Sequence, residues 1–207
     1  MRRHATAIVL AGGRSTRLGQ DKAALEFGGR PLLTHVVKAV SPVCEEVIIA
    51  GGWRAQEHWP EINASWVPDV PGVAGPLAGL RSGISAAARP LCLAVACDMP
   101  FLNPTLLAHL IDSIGESDAC VPVIHGSAQP LHAVYSNRSL PTIDSLIRLG
   151  RRSVQDLLGR LRVTYVGEQQ CAEFDPPGLS TFNMNTPEDV RFALDEWSRR
   201  SAGTAAA

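Results

Sequence analysis

Four short runs in this chain are continuously apolar rather than alternating: ATAIVLA (5–11), EVIIA (46–50), LCLAVA (91–96) and ACVPVI (119–124). A strand with one wet face alternates, so unbroken runs read as strands buried on both faces, as in a sheet covered by helices on either side. The stretches between them carry helix punctuation. Pro31 is placed for a first helical turn, with Leu32, Leu33, Val36, Val37 and Val40 on one face and Pro42 beyond the end. Asn103 is placed to cap a helix opened by Pro104, with Leu106, Leu107, Leu110, Ile111 and Ile114 spaced for burial and Gly115 as the stop. Thr186, Pro187 and Asp189 form a capping-box-like start to a last helix in which Val190, Leu194 and Trp197 share a face. The alternation predicts an α/β fold of three layers, a mostly parallel sheet with helices on both faces. PLHAVYS (130–136) and RVTYV (162–166) are weaker strands, expected to be antiparallel or at an edge.

With 207 residues, one domain over 1–200 is the simplest division, and the tail SAGTAAA (201–207) has no large apolar group to anchor it and is expected to be disordered. The net charge of −1 gives no general attraction to nucleic acid or to an anionic membrane. It hides an asymmetry: residues 1–38 hold seven Lys and Arg against two Asp and Glu, leaving twelve against eighteen for the remainder. Five cysteines, odd in number and without CxxC or Cys/His spacing, point to neither a disulfide framework nor a zinc site and fit a reducing compartment. The start MRRHATAIVLAGG mimics a signal peptide, but Gly12 and Gly13 cut its apolar run short, and no segment reaches the ~20 apolar residues of a membrane span. A cytoplasmic location is expected.

The positive charge falls on LAGGRSTRLGQDK (10–22), directly after the first apolar run. In an open α/β sheet, ligands bind beyond the carboxyl ends of the strands. Gly12 and Gly13 remove Cβ atoms there, so that backbone N–H groups can close around an anion or a base edge, and Arg17 and Lys22 bring charge to phosphates. The spacing fits neither a Walker A loop nor GxGxxG. Only two of the nineteen cationic residues are Lys, and Lys22 is one of them, as expected where a point charge is wanted. Asp98 follows the LCLAVA run, which puts a carboxylate at the same edge, a hard oxygen ligand suited to Mg²⁺ held jointly with substrate phosphates. His132 reads as structural.

LAGGRSTRLGQDKAAL resembles the signature loop of the molybdenum cofactor guanylyltransferases, within the wider nucleotidyltransferases. GPLAGL (75–80), ACDMPFL (96–102) and FNMNTPEDV (182–190) agree in order and spacing, so the resemblance spans nearly the whole chain. It implies transfer of GMP from GTP to the terminal phosphate of molybdopterin, with or without molybdenum, releasing pyrophosphate. It also implies Arg17, Lys22 and Asp98 as catalytic groups, and Leu10, Ala11, Gly12, Gly13, Lys22, Asp69, Gly75, Pro76, Leu77 and Asp98 around the nucleotide. The resemblance implies Asp98 as the metal ligand, Arg151 and Arg152 near the acceptor substrate, and Asn183 and Asn185 either orienting the substrate phosphate or completing the metal shell; molybdoenzymes or their chaperones are the implied recipients. No catalytic base is needed, because a phosphate monoester with a second pKa near ~6 is already largely dianionic at neutral pH. One departure matters. Where some members carry a nucleotide-contacting Asn after the second strand, this chain reads AGGWR (50–54). Gly12 favours guanine, since the cytidylyltransferase relatives tend to have alanine there and its methyl would crowd a purine. The alternatives are a molybdopterin cytidylyltransferase, a sugar-phosphate nucleotidyltransferase, or a non-catalytic nucleotide-binding adaptor.

Overall fold

The computed structural model describes residues 2–12, 22–51, 59 and 62–205. Strand β1 is Arg3–Leu10; a short hairpin of β2 (Glu26–Phe27) and β3 (Arg30–Pro31) leads into α1 (Leu32–Val40). Then come β4 (Cys44–Ala50), β5 (Ser65–Val67), α2 (Pro76–Ala86), β6 (Leu91–Ala96), α3 (Pro104–Ser113), β7 (Ala119–Ile124) and β8 (Ser127–Ala128). The chain continues with β9 (His132–Ser136), α4 (Leu140–Arg148), α5 (Val154–Leu158), β10 (Val163–Val166), α6 (Glu168–Phe174) and α7 (Pro187–Ala205). The main sheet runs in the order β10-β7-β9-β6-β1-β4-β5, with β8 paired to β7.

All four expected strands lie inside this sheet. Strand β1 sits between β4 and β6 and is parallel to both, Ile8 pairing with Ile48 on one side and Ala94 on the other. The weaker strands divide. RVTYV forms β10, parallel to β7 at the edge, whereas PLHAVYS supplies β9, antiparallel between β6 and β7 and buried at every position. The short link from β7 to β9 explains its direction, since a parallel return needs a crossover of a dozen or more residues.

Alternation along β1 splits the core. Ala5, Ala7 and Val9 face a cluster with α1, α3 and α6, while Ile8 and Leu10 face one with α2, α4 and α5. A third, smaller cluster lies to one side: Phe27, Leu32, Phe101, Met184 and Ala193, with Val190 and Trp197 packed against it. Asn103 caps α3 as expected, its side chain accepting from the N–H groups of Thr105 (2.9 Å) and Leu106 (3.3 Å). Thr186 and Asp189 form the reciprocal cap of α7.

Three details differ from expectation. Leu194 is 39% exposed, because α7 docks through Val190, Ala193 and Trp197. Pro31 precedes α1, held in the hairpin by its pairing with Glu26. Residues 201–205 extend α7, since adding residues to a formed helix costs far less than starting one. Among the described residues no helix is long and apolar enough to cross a membrane.

Candidate functional site

The carboxyl ends of β6, β1, β4 and β5 lie side by side, and backbone bonds continue the pairing past them. The N–H of Cys97 donates to Leu10 O (3.1 Å), that of Ala11 to Ala50 O (2.9 Å), and that of Gly51 to Val67 O (3.0 Å). Gly12 is thereby set between Asp98, following β6, and Gly51, following β4. Gly13 and Arg17, and the side chain of Lys22, lie outside the described residues, as does the departure at residues 52–54.

Asp69 is the second carboxylate at this edge. It stands two residues beyond β5 and is half-buried; loss of water around it raises its pKa above the ordinary carboxylate value. Among the described residues it makes no hydrogen bond and no ion pair. Glycines pack around it. A Cβ at Gly12 would stand 2.7 Å from Asp69 Oδ2, and one at Gly79, in α2, 3.1 Å from Oδ1. Gly51 has φ +82°, where a side chain is strained, and a Cβ there would meet the Gly12 backbone nitrogen at 2.7 Å.

The GPLAGL segment starts α2, with Gly75 before it and Pro76 at the first helical position. A Cβ on Gly75 would come within 3.3 Å of both the Cβ and the carbonyl oxygen of Arg152, so the predicted basic segment lies against the start of α2. Arg151 pairs loosely with Asp156 at 3.8 Å and is exposed. Leu10, Gly12, Asp69, Gly75, Pro76, Leu77 and Arg152 thus belong to one side of the edge, while Ala11 packs in the cluster that holds Cys97 and Met99.

Asp98 belongs to the other side. Its Oδ1 is shielded from solvent, and its backbone carbonyl accepts the N–H of Met184 at 2.9 Å. That bond brings the FNMN segment to Asp98. Met184 is fully buried in the third cluster, Asn183 is half-buried with its amide donating to Thr181 O (2.9 Å), and Asn185 is exposed, its N–H donating to Asp189. Behind the Asp98 loop, Ser180 Oγ accepts the Asn103 N–H (2.9 Å) and lies 2.7 Å from Nε2 of the fully buried His132. Burial pushes the His132 pKa down to about 4, so the ring is neutral and braces the loop, in keeping with a structural part.

Among the described residues no group of three or more His, Cys, Asp and Glu gathers into a metal site. One carboxylate ligand, such as Asp98 can supply, fits Mg²⁺ arriving with a triphosphate, since that ion keeps waters and phosphate oxygens for most of its shell. Sequence reasoning missed the parts played by Gly51, Gly79 and Ser180. Gly79 stands inside a motif already visible, but its closeness to Asp69 is a through-space fact.

The family model of the MobA-like NTP transferase domain matches residues 7–165. A Pelotomaculum thermopropionicum protein named "Probable molybdenum cofactor guanylyltransferase" is 38% identical over 186 residues, 90% of this chain and 90% of that one. Among solved structures, the molybdopterin-guanine dinucleotide biosynthesis protein A of Archaeoglobus fulgidus is 28% identical, with a TM-score of 0.83 over 94% of this chain and 99% of its own. The 2-C-methyl-D-erythritol 4-phosphate cytidylyltransferase of Thermus thermophilus is 19% identical with a TM-score of 0.71 over 92% of this chain and 98% of its own, a likeness of fold alone. The fold is therefore shared by proteins named for different bases, while sequence identity over nine-tenths of the length separates them: the chain belongs to the molybdenum cofactor guanylyltransferase family.

Proposed function

We propose that this protein transfers GMP from GTP to the terminal phosphate of molybdopterin, and that its two edge carboxylates divide the work. An oxygen of the acceptor phosphate attacks the α-phosphorus of GTP, the bond to the bridging oxygen breaks, and pyrophosphate leaves with the electron pair. The acceptor phosphate is already dianionic near neutral pH, so no side chain has to remove a proton. What the protein contributes is alignment and neutralisation of charge.

Asp98 would hold Mg²⁺ together with the triphosphate, and the ion would supply charge neutralisation at the α-phosphate and the departing pyrophosphate. Arg17 and Lys22, assigned from the sequence motif, add positive charge to the same phosphates. Asn183 and Asn185, tied to Asp98 through Met184, face the acceptor from one side. Arg152, beside Gly75, and its neighbour Arg151 offer charge to the acceptor from the other. Five buried cysteines without a disulfide fit a reducing, cytoplasmic setting.

Asp69 meets the base. The observation that carries this reading is a half-buried carboxylate with no hydrogen-bond donor among the described residues, at the same strand edge as Asp98. An ionised carboxylate only accepts, and guanine's edge offers two adjacent donors, N1–H and the 2-amino group. Cytosine offers one donor beside a bare acceptor nitrogen, which a carboxylate repels. The test is pyrophosphate release with molybdopterin, Mg²⁺ and each of GTP, CTP and UTP. Turnover with GTP at least about tenfold above the others is expected; CTP or UTP as the better substrate would sink the assignment.

A further inference from the structure

Asp118 shows how donors fix a carboxylate in this molecule: Arg162 grips it at 3.3 Å, with Arg138 at 3.7 Å. Asp69 has no such grip among the described residues, yet its two oxygens stand in different surroundings. Oδ2 lies over Gly12 and Oδ1 over Gly79, so that a methyl group on either would press the carboxylate from a different side. Gly79 is the informative one. It lies inside α2 with no positive φ, where alanine is the better helix former, so the helix itself gives no reason for glycine. One turn later, Gly83 lies on the same face, and a Cβ there would collide with Ile8 Cγ2 at 2.4 Å. The pair lets α2 sit close to β1, but only Gly79 touches Asp69.

We propose that Gly12, Gly51 and Gly79 form a steric cradle that fixes the Asp69 carboxylate, making Gly79 a positioning residue that sets base specificity from within α2. The inference rests on the reading of Asp69 as the group that meets guanine. Gly51 completes the cradle from below: it keeps the Gly12 backbone close, with the space for a Cβ bounded by Gly12 at 2.7 Å and Asp69 Oδ2 at 3.2 Å. A substitution at Gly51 would disturb backbone against backbone, whereas the two close contacts of an alanine at Gly79 are with the ends of side chains, Asp69 Oδ1 at 3.1 Å and Leu10 Cδ2 at 2.8 Å, with Ala50 Cβ at an ordinary 3.7 Å. Both can give way. The carboxylate then leaves the place where it meets N1–H and the 2-amino group together.

Inosine triphosphate, which lacks the 2-amino group, reads this directly. The measurement is kcat/KM for GTP and for inosine triphosphate, with molybdopterin and Mg²⁺, in the full-length wild type, Asp69→Ala, Gly79→Ala, Gly12→Ala, Gly83→Ala and the Gly79→Ala/Asp69→Ala double variant. The wild type is expected to prefer GTP by about tenfold or more, and Asp69→Ala to bring the ratio near one. Gly79→Ala and Gly12→Ala lower the ratio at least about fivefold, and the double variant is no worse than Asp69→Ala, because the two act through one group. Gly83→Ala lowers the melting temperature and keeps the wild-type ratio. A wild-type ratio in both Gly79→Ala and Gly12→Ala, beside a collapsed ratio in Asp69→Ala, would overturn the cradle and leave the base reading standing. An unchanged ratio in Asp69→Ala overturns both. An equal loss of ratio in Gly83→Ala would assign the effect to helix displacement and overturn the cradle. If Gly79→Ala does not fold, Gly12→Ala decides.

Discussion

Asp69 and Asp98 stand at the same edge of one sheet, yet they are built into it in opposite ways. Asp69 is placed by missing atoms: glycines surround it and, among the described residues, nothing donates to it. Asp98 is placed by atoms present: Met184 bonds its carbonyl, Phe101 and Met184 anchor its neighbours in the third cluster, and Asn103, Ser180 and His132 brace the loop behind. The difference teaches where each side is vulnerable. The Asp69 side is damaged by adding a methyl group and should answer in base choice; the Asp98 side is damaged by removing contacts and should answer in rate and stability.

The largest effect is expected at Asp98 itself. Asp98→Ala is expected to lower Mg²⁺-dependent kcat about 1000-fold while the GTP:CTP preference is kept, measured by steady-state pyrophosphate release. Next comes Met184→Ala, which leaves a cavity in the third cluster and should cost about 3 kcal/mol of stability in urea unfolding, with a fall in kcat larger than any change in KM for GTP.

A smaller effect follows from His132. The unfolded chain takes up a proton there below about 6.5, but the folded protein only near about 4, so stability is full above that window and falls as pH drops through it. Between pH 6.5 and 5 the loss is on the order of 2 kcal/mol, read as urea midpoints, and His132→Asn should flatten this slope. Smallest is Leu194→Ala, expected within about 0.5 kcal/mol of wild type because that side chain faces water. A large loss there would return α7 to the face that spacing alone predicts.

Features set by neighbours in sequence were legible before the structure. The Asn103 cap and the Thr186–Asp189 box depend on residues within one turn, and both form as read. The unbroken apolar runs also lie inside the sheet. Direction and docking were less legible: β9 runs antiparallel because its link to β7 is short, and α7 turns Leu194 outward because the third cluster, assembled from Phe27, Phe101 and Met184, chooses Ala193 instead. At the site, Gly12 and Asp98 could be picked out because each follows an apolar run, whereas Asp69 came only from the family resemblance, the three-residue strand β5 before it being too short and too polar to read as a buried run. The relation among them could not. The reason for glycine at position 12 shifts accordingly, since a methyl there meets Asp69 at 2.7 Å before any base is considered.

If Asp69 reads the base, exchanging one of its acceptors for a donor must change which base is read. Asp69→Asn presents one acceptor and one donor, which mismatches guanine but matches xanthine, whose edge carries N1–H beside a carbonyl oxygen. The measurement is the ratio of kcat/KM for xanthosine triphosphate to that for GTP in Asp69→Asn and in wild type. The ratio should rise about 100-fold on substitution; the same ratio in both proteins would contradict the account.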